Sequence, residues 1–137
     1  PLCLVGSEMC IRDRSYYENI SLLAYSPLAG GLLTGKYLNN EMPTDSRITR
    51  VSTIGDRVNK NAMKAVQEYM KISKKFNIHP VHLALAFCTK RPFMGSVIFG
   101  ATTDEQLDVV IKGLDVDLND EIMKEISLVY KNYALTF

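Results

Sequence analysis

The order of hydrophobic and polar residues predicts two short strands, each of which stops at a residue that breaks regular structure. Leu22–Tyr25 is a continuous apolar run that stops just before Pro27, whose nitrogen cannot donate a ladder hydrogen bond. A second run, Ser96–Phe99, stops at Gly100. Short apolar runs of this kind are typical of strands covered on both faces of a parallel sheet. The pattern therefore predicts two buried, parallel strands.

Helical patterns lie around these strands. Apolar residues at three- and four-residue spacing, together with capping residues, mark the helices. Pro80 suits the first turn of a helix, and Thr103 with Gln106 forms a capping box. The alternation of strands and helices indicates an α/β protein with a parallel sheet. The predicted helices are a frayed end at Ser15–Ile20, then Asn59–Phe76, His79–Lys90, Asp104–Lys112 and a last helix capped by Asn119.

The segment from Ser26 to about Val58 is predicted to be a long connection, because Gly, Pro, Asn and Asp are scattered through it. Connections of that length are usually functional or disordered. It carries Lys36, Arg47 and Arg50, cations that could meet an anion. For Arg50, surface solubility is the preferred interpretation.

Composition excludes several classes of partner. Hydrophobic residues make up 47% and charged residues 23% of the 137 residues, as in a globular domain, and the net charge is +1. This balance gives no electrostatic reason to expect nucleic acid or an anionic membrane as a partner. No apolar run approaches the roughly 20 residues that span a bilayer. The cysteines form no disulfide framework, which favours a cytoplasmic location.

The first residues, Pro1–Arg14, look foreign to the rest of the chain. Their string GSEMCIRDR resembles the translation of a sequencing adapter, so we interpret residues 1–14 as a non-native leader and 15–137 as one domain. A genuine strand or loop is the alternative. A signal peptide fits less well, because no basic residue precedes the apolar ones.

For two further groups of side chains, the sequence favours a structural role over a chemical one. His79 and His82 are three residues apart, but no acid or cysteine lies at a suitable spacing to complete a metal site. We expect the histidines to cap or pack. Cys88 lies inside an apolar helix and is interpreted as a small core residue rather than a nucleophile.

The loops after both strands have features of a phosphate site. Gly30 and Gly31 permit a tight turn and close approach of a ligand, and Lys36 supplies a cation. Gly100 leads to a helix whose first N–H groups are free. A doubly wound sheet and part of an eight-stranded barrel both fit this pattern. The barrel fits better, because barrels often bind phosphate at the loops after their seventh and eighth strands.

The segments YSPLAGGLLTGKY and VIFGATTDEQL resemble the last two strand–loop motifs of aldo-keto reductases, barrels that reduce carbonyls with NADP(H). The nearest likeness is to the bacterial Tas-like group, which is related to potassium-channel β subunits. The resemblance covers about Ser15 to Tyr133. It implies that the chain is the C-terminal part, about the last two βα units, of a (β/α)8 TIM barrel.

The resemblance also implies roles for individual residues. Tyr25 would stack on the nicotinamide, the next five residues would cross the pyrophosphate, and Lys36 and Arg47 would meet a 2′-phosphate. Gln106 would reach the adenosine end. Tyr25 could instead be core, Lys36 solvated and Gln106 only half of a capping box. The cofactor positions implied are Tyr25, Ser26, Pro27, Leu28, Ala29, Gly30, Lys36, Arg47, Gly100, Ala101, Thr102 and Gln106.

The chain departs from the family pattern in three respects. Relatives commonly carry an acid and an asparagine, or at least the asparagine, where Val109 and Val110 stand here, so contacts to adenine and the preference between NADPH and NADH are open. The basic residue that some family members use at the GATT turn is also missing. The family's catalytic tyrosine, lysine, aspartate and histidine come from earlier strands and have no counterpart here. His79 and His82 lie outside the matching motifs and do not replace them.

The function implied by the resemblance is NADPH-dependent reduction of a small carbonyl substrate by hydride transfer. The chain would carry the cofactor-binding part and would show no turnover alone. One alternative is an NADPH-binding regulatory or redox-sensing subunit. Another is an unrelated module whose glycine loops hold a sugar phosphate.

Overall fold

The computed structural model describes residues 13–44, 46–51 and 58–133. Strands β1 (Leu22–Tyr25) and β2 (Met94–Ile98) form the sheet, and residues 13–17 are helical. Most of the predicted leader, residues 1–12, lies outside the described residues, so that hypothesis stays a prediction. The other elements are 3₁₀ helices at Ala29–Thr34 and Leu38–Asn40, then α1 (Arg47–Arg50), α2 (Lys60–Lys75), α3 (Pro80–Thr89), α4 (Asp104–Lys112) and α5 (Asp120–Asn132).

The two strands pair in parallel, as the sequence predicts. Tyr25 lies opposite Ile98, and the register has one irregularity between Leu22 and Leu23. The second strand was predicted at Ser96–Phe99, but it begins at Met94 and ends at Ile98. It begins early because a turn after α3, closed by the Met94 N–H donating to the Arg91 carbonyl at 2.9 Å, delivers the chain directly to β1.

The prediction that both strands are buried is wrong for the described part of the chain. Successive strand residues point to opposite faces of a sheet. Helix α3 packs against β2, and Val97 packs against the cluster that contains Val81 and Leu85 of that helix. The other face is open, so Leu23 is 61% and Tyr25 is 73% exposed.

The four longer predicted helices are confirmed, whereas the helix predicted at Ser15–Ile20 lies at residues 13–17. Asn59 Oδ1 accepts from the Ala62 N–H at 2.8 Å to begin α2, and Asn77 adopts φ 52° just after it ends. Pro80 occupies the first turn of α3. Asn119 Oδ1 accepts from the Ile122 N–H at 2.9 Å to begin α5. No helix among the described residues is long and apolar enough to cross a membrane.

The connection after β1 is more ordered than predicted. Two 3₁₀ helices and α1 interrupt it, and Leu32, Tyr37 and Ile48 are buried against Val66 of α2. These apolar residues follow no helical or strand period, which is why the pattern of the sequence did not reveal them. Residues 45 and 52–57 of the predicted connection lie outside the described residues.

Two more apolar clusters hold the remaining elements. One joins α2, α3 and α5 through Ala65, Ile72, Leu83, Ile122, Ile126 and Val129. The other, here called the loop cluster, consists of Val81, Leu85 and Val110, with Leu28, Val97 and Val109 packed against it. The loop cluster therefore ties the loop after β1 to β2, α3 and α4.

The Tyr37 side chain offers a first test of this packing. Tyr37 is 2% exposed, and its hydroxyl has no hydrogen-bond partner among the described residues. A buried polar group without a partner costs free energy, so Tyr37→Phe should raise the free energy of unfolding by about 1 kcal/mol. Urea unfolding measures this, with Tyr133→Phe as the control at a half-buried tyrosine. A loss of stability in Tyr37→Phe would show that the hydroxyl is satisfied in solution.

Candidate cofactor site

Both candidate loops leave the same edge of the sheet. Because β1 and β2 are parallel and Tyr25 lies opposite Ile98, the chain after each strand begins at the carboxyl edge. Ligands of open α/β sheets and barrels bind at that edge. The parallel register therefore brings the start of the Ser26–Gly30 loop next to the start of the Gly100–Thr102 loop.

The loop after β1 is held in an unusual conformation. Ser26 (φ 61°) and Ala29 (φ 49°) both adopt left-handed angles that residues with a Cβ avoid, and Gly30 follows at φ 68°. Such residues persist only where the surroundings fix them, and they cluster at ligand sites. Here Pro27 is buried and Leu28 packs against the loop cluster. Packing of these two side chains therefore fixes the backbone for which the family resemblance implies contact with the pyrophosphate.

Tyr25 lies on the open face of the sheet at the same edge. Tyr25 is 73% exposed, so it is not part of the core of the described residues. A flat aromatic face beside the two loops is available for a planar ring to stack on.

The two cations of the candidate site lie around the first loop. The Lys36 Nζ sits 5.1 Å from the centroid of the Tyr37 ring, and the end of its side chain lies beside Gly31. Arg47 is exposed at the start of α1, a helix that contacts the 3₁₀ helix Ala29–Thr34. Helix α1 begins there because the buried Ser46 accepts from the Thr49 N–H at 3.4 Å.

The loop after β2 is exposed throughout Gly100–Thr102. A Cβ added at Gly100 would meet no atom within 4 Å, so space for a ligand is open there. The Thr102 N–H and hydroxyl both donate to Gln106 Oε1, at 3.0 and 3.2 Å. The predicted capping box is therefore only half right: Thr103 Oγ1 accepts from the Gln106 N–H at 3.3 Å, but the Gln106 side chain reaches Thr102 instead of Thr103. It does so because Thr102 offers two donors to one amide oxygen.

Charge at the start of α4 restricts where an anion fits. Asp104 and Glu105 occupy the first turn. The Glu105 carboxylate accepts hydrogen bonds from the Thr103 side chain and from the backbone N–H of Glu105. These bonds hold the pKa of Glu105 below its usual range. These carboxylates already offset the positive end of the helix dipole. The position that best suits a phosphate is therefore the uncharged stretch at Gly100 and Ala101, ahead of the helix.

The two valines that depart from the family pattern belong to the loop cluster. Val110 is 5% exposed against Val81 and Leu85, and Val109 packs at its margin. Valine side chains form no hydrogen bonds, so these positions add packing and no polar contact to the site.

The histidines have the capping and packing roles that were predicted, whereas Cys88 is not among the buried residues of the apolar clusters described above. His79 Nδ1 accepts from the Val81 N–H at 3.3 Å, and His82 Nε2 donates to the Val109 carbonyl at 2.7 Å. No cluster of three or more metal-ligating side chains occurs in the described part of the chain. Cys88 is half-buried, and burial raises the pKa of its thiol. A thiol of this kind is a poor nucleophile.

The structure also reveals supporting residues that sequence reasoning missed. Tyr37 lies beneath the Lys36 side chain, and Gly113 packs directly against the His82 ring. Ser46 with Thr49 was a readable helix start, because serine is a preferred N-cap residue. The contact of Gly113 has no local signal, since its partner is 31 residues earlier in the chain (113 − 82).

Comparison with known proteins decides the family. The family model described as "Aldo/keto reductase family" matches residues 7–131. The chain belongs to this family. This aldo/keto reductase chain is 38% identical over 127 residues to Protein tas of Escherichia coli K12, an alignment that covers 93% of the chain and 37% of that protein.

Two further relatives indicate the range of the family. The chain is 32% identical over 118 residues to a probable voltage-gated potassium channel subunit beta of Oryza sativa subsp. japonica, covering 82% of the chain and 36% of that protein. It is 32% identical over 114 residues to L-glyceraldehyde 3-phosphate reductase of E. coli K12, covering 75% of the chain and 31% of that protein. The chain thus spans about a third of the length of the curated relatives it matches.

Proposed function

We propose that this chain is the cofactor-binding C-terminal part of an NADP(H)-dependent oxidoreductase that reduces aldehydes or ketones. Membership of the aldo/keto reductase family supports the general oxidoreductase role. The observation that carries the finer proposal is the parallel register, which brings both glycine-containing loops to one edge of the sheet. The pyrophosphate of a dinucleotide needs backbone hydrogen-bond donors from more than one loop, and this edge of the sheet offers them.

The residues of the chain fit the cofactor in chemistry and space. The loop at Ser26–Gly30 offers a fixed backbone, and Gly100 offers open space for close approach. Lys36 and Arg47 supply the cations for a 2′-phosphate, and the exposed Tyr25 supplies the stacking surface. NADPH, when bound, supplies a hydride to the carbonyl carbon while a general acid protonates the oxygen.

The open face of the sheet supports the proposal that the chain is one part of a barrel. Leu23 and Ile98 are exposed side by side with Tyr25, and exposed apolar strand faces are normally covered. The curated relatives are about three times as long as the matched region. We place the acid and the substrate pocket on the additional units that cover this face. The 137-residue chain should therefore show no carbonyl reduction alone.

The test of the cofactor proposal is binding to the chain itself. Calorimetric titration with NADPH, NADH and ribose 5-phosphate compares a dinucleotide with a sugar phosphate. The dinucleotides should bind, with NADPH the tighter, and Lys36→Ala should reduce the preference for NADPH by about tenfold because a charged phosphate contact is lost. The matched control is Lys64→Ala, which removes an exposed lysine from α2. Binding of ribose 5-phosphate in preference to NADPH would support a sugar-phosphate module instead.

A regulatory subunit is the second candidate, because channel β subunits are among the relatives. The two differ in the catalytic residues, which the family resemblance assigns to earlier strands, so the test needs the longer protein of this proposal, expressed from its complete gene. That purified protein would be assayed for NADPH-dependent reduction of an aldehyde. Turnover would support the reductase. A folded protein that binds NADPH without turnover would favour the regulatory role.

A further inference from the structure

The two histidines of the chain lie together at the start of α3. Their ring centroids are 5.0 Å apart, with an angle of 47° between the ring planes. His79 is the N-cap of α3, and His82 lies within the first turn. Neither histidine belongs to the candidate cofactor site. Their hydrogen bonds, however, reach the elements that hold both of its loops.

The hydrogen bond of His79 requires a neutral ring. Its Nδ1 accepts from the Val81 N–H at 3.3 Å, and an imidazolium has no acceptor nitrogen. Protonation would therefore remove the cap. It would also place a positive charge at the positive end of the α3 dipole.

His82 is fixed by its own contacts. A carbonyl oxygen can only accept, so the Nε2 that lies 2.7 Å from the Val109 oxygen carries a hydrogen. The ring packs so closely against Gly113 that an added Cβ would stand 2.4 Å from His82 Cδ2. The His82 ring therefore has little room to move away from His79.

Charged neighbours do not favour a protonated His79. Burial lowers the pKa of His79, and the His82 ring lowers it further. On α5, Glu121 and Glu125 are paired with Lys75. Strand β2 and the 3₁₀ helix Ala29–Thr34 carry no charged residue. Helices α2 and α4 carry further charged side chains close in sequence to the residues that contact the histidines and α3. These are Lys71, Lys74, Asp108 and Lys112.

We infer that His79 and His82 form a pH-sensitive clasp at the start of α3: neutral His79 caps the helix beside the loop cluster, protonation of His79 releases that cap, and His82 stays bonded to α4. Val81, the residue that His79 caps, packs in that cluster with Leu28 of the loop after β1. His82 holds Val109 of α4, which follows the loop after β2. Protonation of His79 would thus loosen the packing of Val81 against Leu28 of the first loop, whereas the His82 N–H keeps its bond to the Val109 carbonyl.

The direction of the pH effect follows from the lowered pKa. The stabilisation by the neutral cap is fully present above the unfolded-state pKa of about 6.5 and is lost as the pH falls through the lower folded-state pKa. Between about pH 7.5 and about pH 5.5, the unfolding equilibrium constant of the native chain should rise more than that of His79→Asn, by at most about tenfold, the ceiling set by an unfolded-state pKa of about 6.5. Asparagine keeps a capping acceptor but does not titrate in this range.

The experiment measures urea unfolding of the full 137-residue chain at these two pH values. His82→Gln is the matched control, since it removes the other histidine and keeps a donor for the Val109 carbonyl; it should retain a pH dependence. An equal pH dependence in His79→Asn and the native chain would overturn the clasp. NMR titration of the His79 ring gives a second measurement that needs no variant. A ring that titrates at or above the unfolded-state value would also overturn it. Neither measurement needs a ligand, so failure of the clasp is distinguishable from failure of the proposed function.

Discussion

Gly113→Ala is expected to lower the free energy of unfolding by about 2–3 kcal/mol, the cost of forcing an atom into a packed interior. An alanine Cβ would stand 2.4 Å from His82 Cδ2 and 2.8 Å from its Cγ. The backbone of Gly113 (φ −90°, ψ −4°) suits alanine, so the cost comes from the contact alone. The ring cannot simply turn aside, because Nε2 is bonded to the Val109 carbonyl. Urea unfolding at neutral pH measures the loss.

A double-mutant cycle identifies the cause of that loss. His82→Ala removes the ring but keeps its Cβ, 3.2 Å from the added atom, so adding Gly113→Ala in that background should cost no more than about 1 kcal/mol. Gly100→Ala is the matched control for a glycine, because its Cβ would meet nothing within 4 Å and should leave stability unchanged. Additive effects of Gly113→Ala and His82→Ala would contradict the close contact of the ring with the glycine.

The local signals in the sequence were sufficient for the helices and for the direction of the strands. Asn59, Thr103 and Asn119 cap their helices as their positions indicate, because capping is a local hydrogen bond. The parallel pairing followed from the helices between the strands, since parallel strands need a long crossover. Features that depend on a few neighbouring residues were thus predictable.

Features that depend on partners distant in the sequence could not be predicted. The apolar run Leu22–Tyr25 indicated burial on both faces, but which faces are covered depends on what packs there, and α3 covers only one. Likewise, the residues near Tyr37 in the sequence do not predict that it packs in a buried cluster with Ile48 and Val66. For the candidate site, the sequence indicated the loop residues, whereas the bond from Thr102 to Gln106 required the three-dimensional structure.

The structure also divides the candidate site into residues that support it and residues that can contact a ligand. Pro27 is buried and Leu28 packs in the loop cluster, so both hold the backbone in place. Tyr25, Lys36 and Gly100 are accessible. Substitutions of the first group should therefore change stability and binding together, whereas substitutions of the second group should change binding alone.

Gly100→Val should weaken NADPH binding by about tenfold or more while changing the free energy of unfolding by less than about 0.5 kcal/mol. The position is exposed, lies outside the left-handed region and has no atom within 4 Å of an added Cβ, so the folded chain tolerates a side chain there. A phosphate that approaches this backbone closely does not tolerate it, since only glycine leaves that space free.

Calorimetric titration with NADPH and urea unfolding of the same variant separate the two effects. Gly100→Ala should give a smaller loss of affinity, because it adds less bulk at the same point. The matched control is Thr89→Val, which places a valine at an exposed position at the end of α3 and should leave NADPH affinity unchanged. If Gly100→Val binds NADPH as tightly as the native chain, the loop after β2 does not contact the cofactor, because no ligand in contact with that backbone could avoid the added side chain. The proposed cofactor site would then consist of the loop after β1 alone.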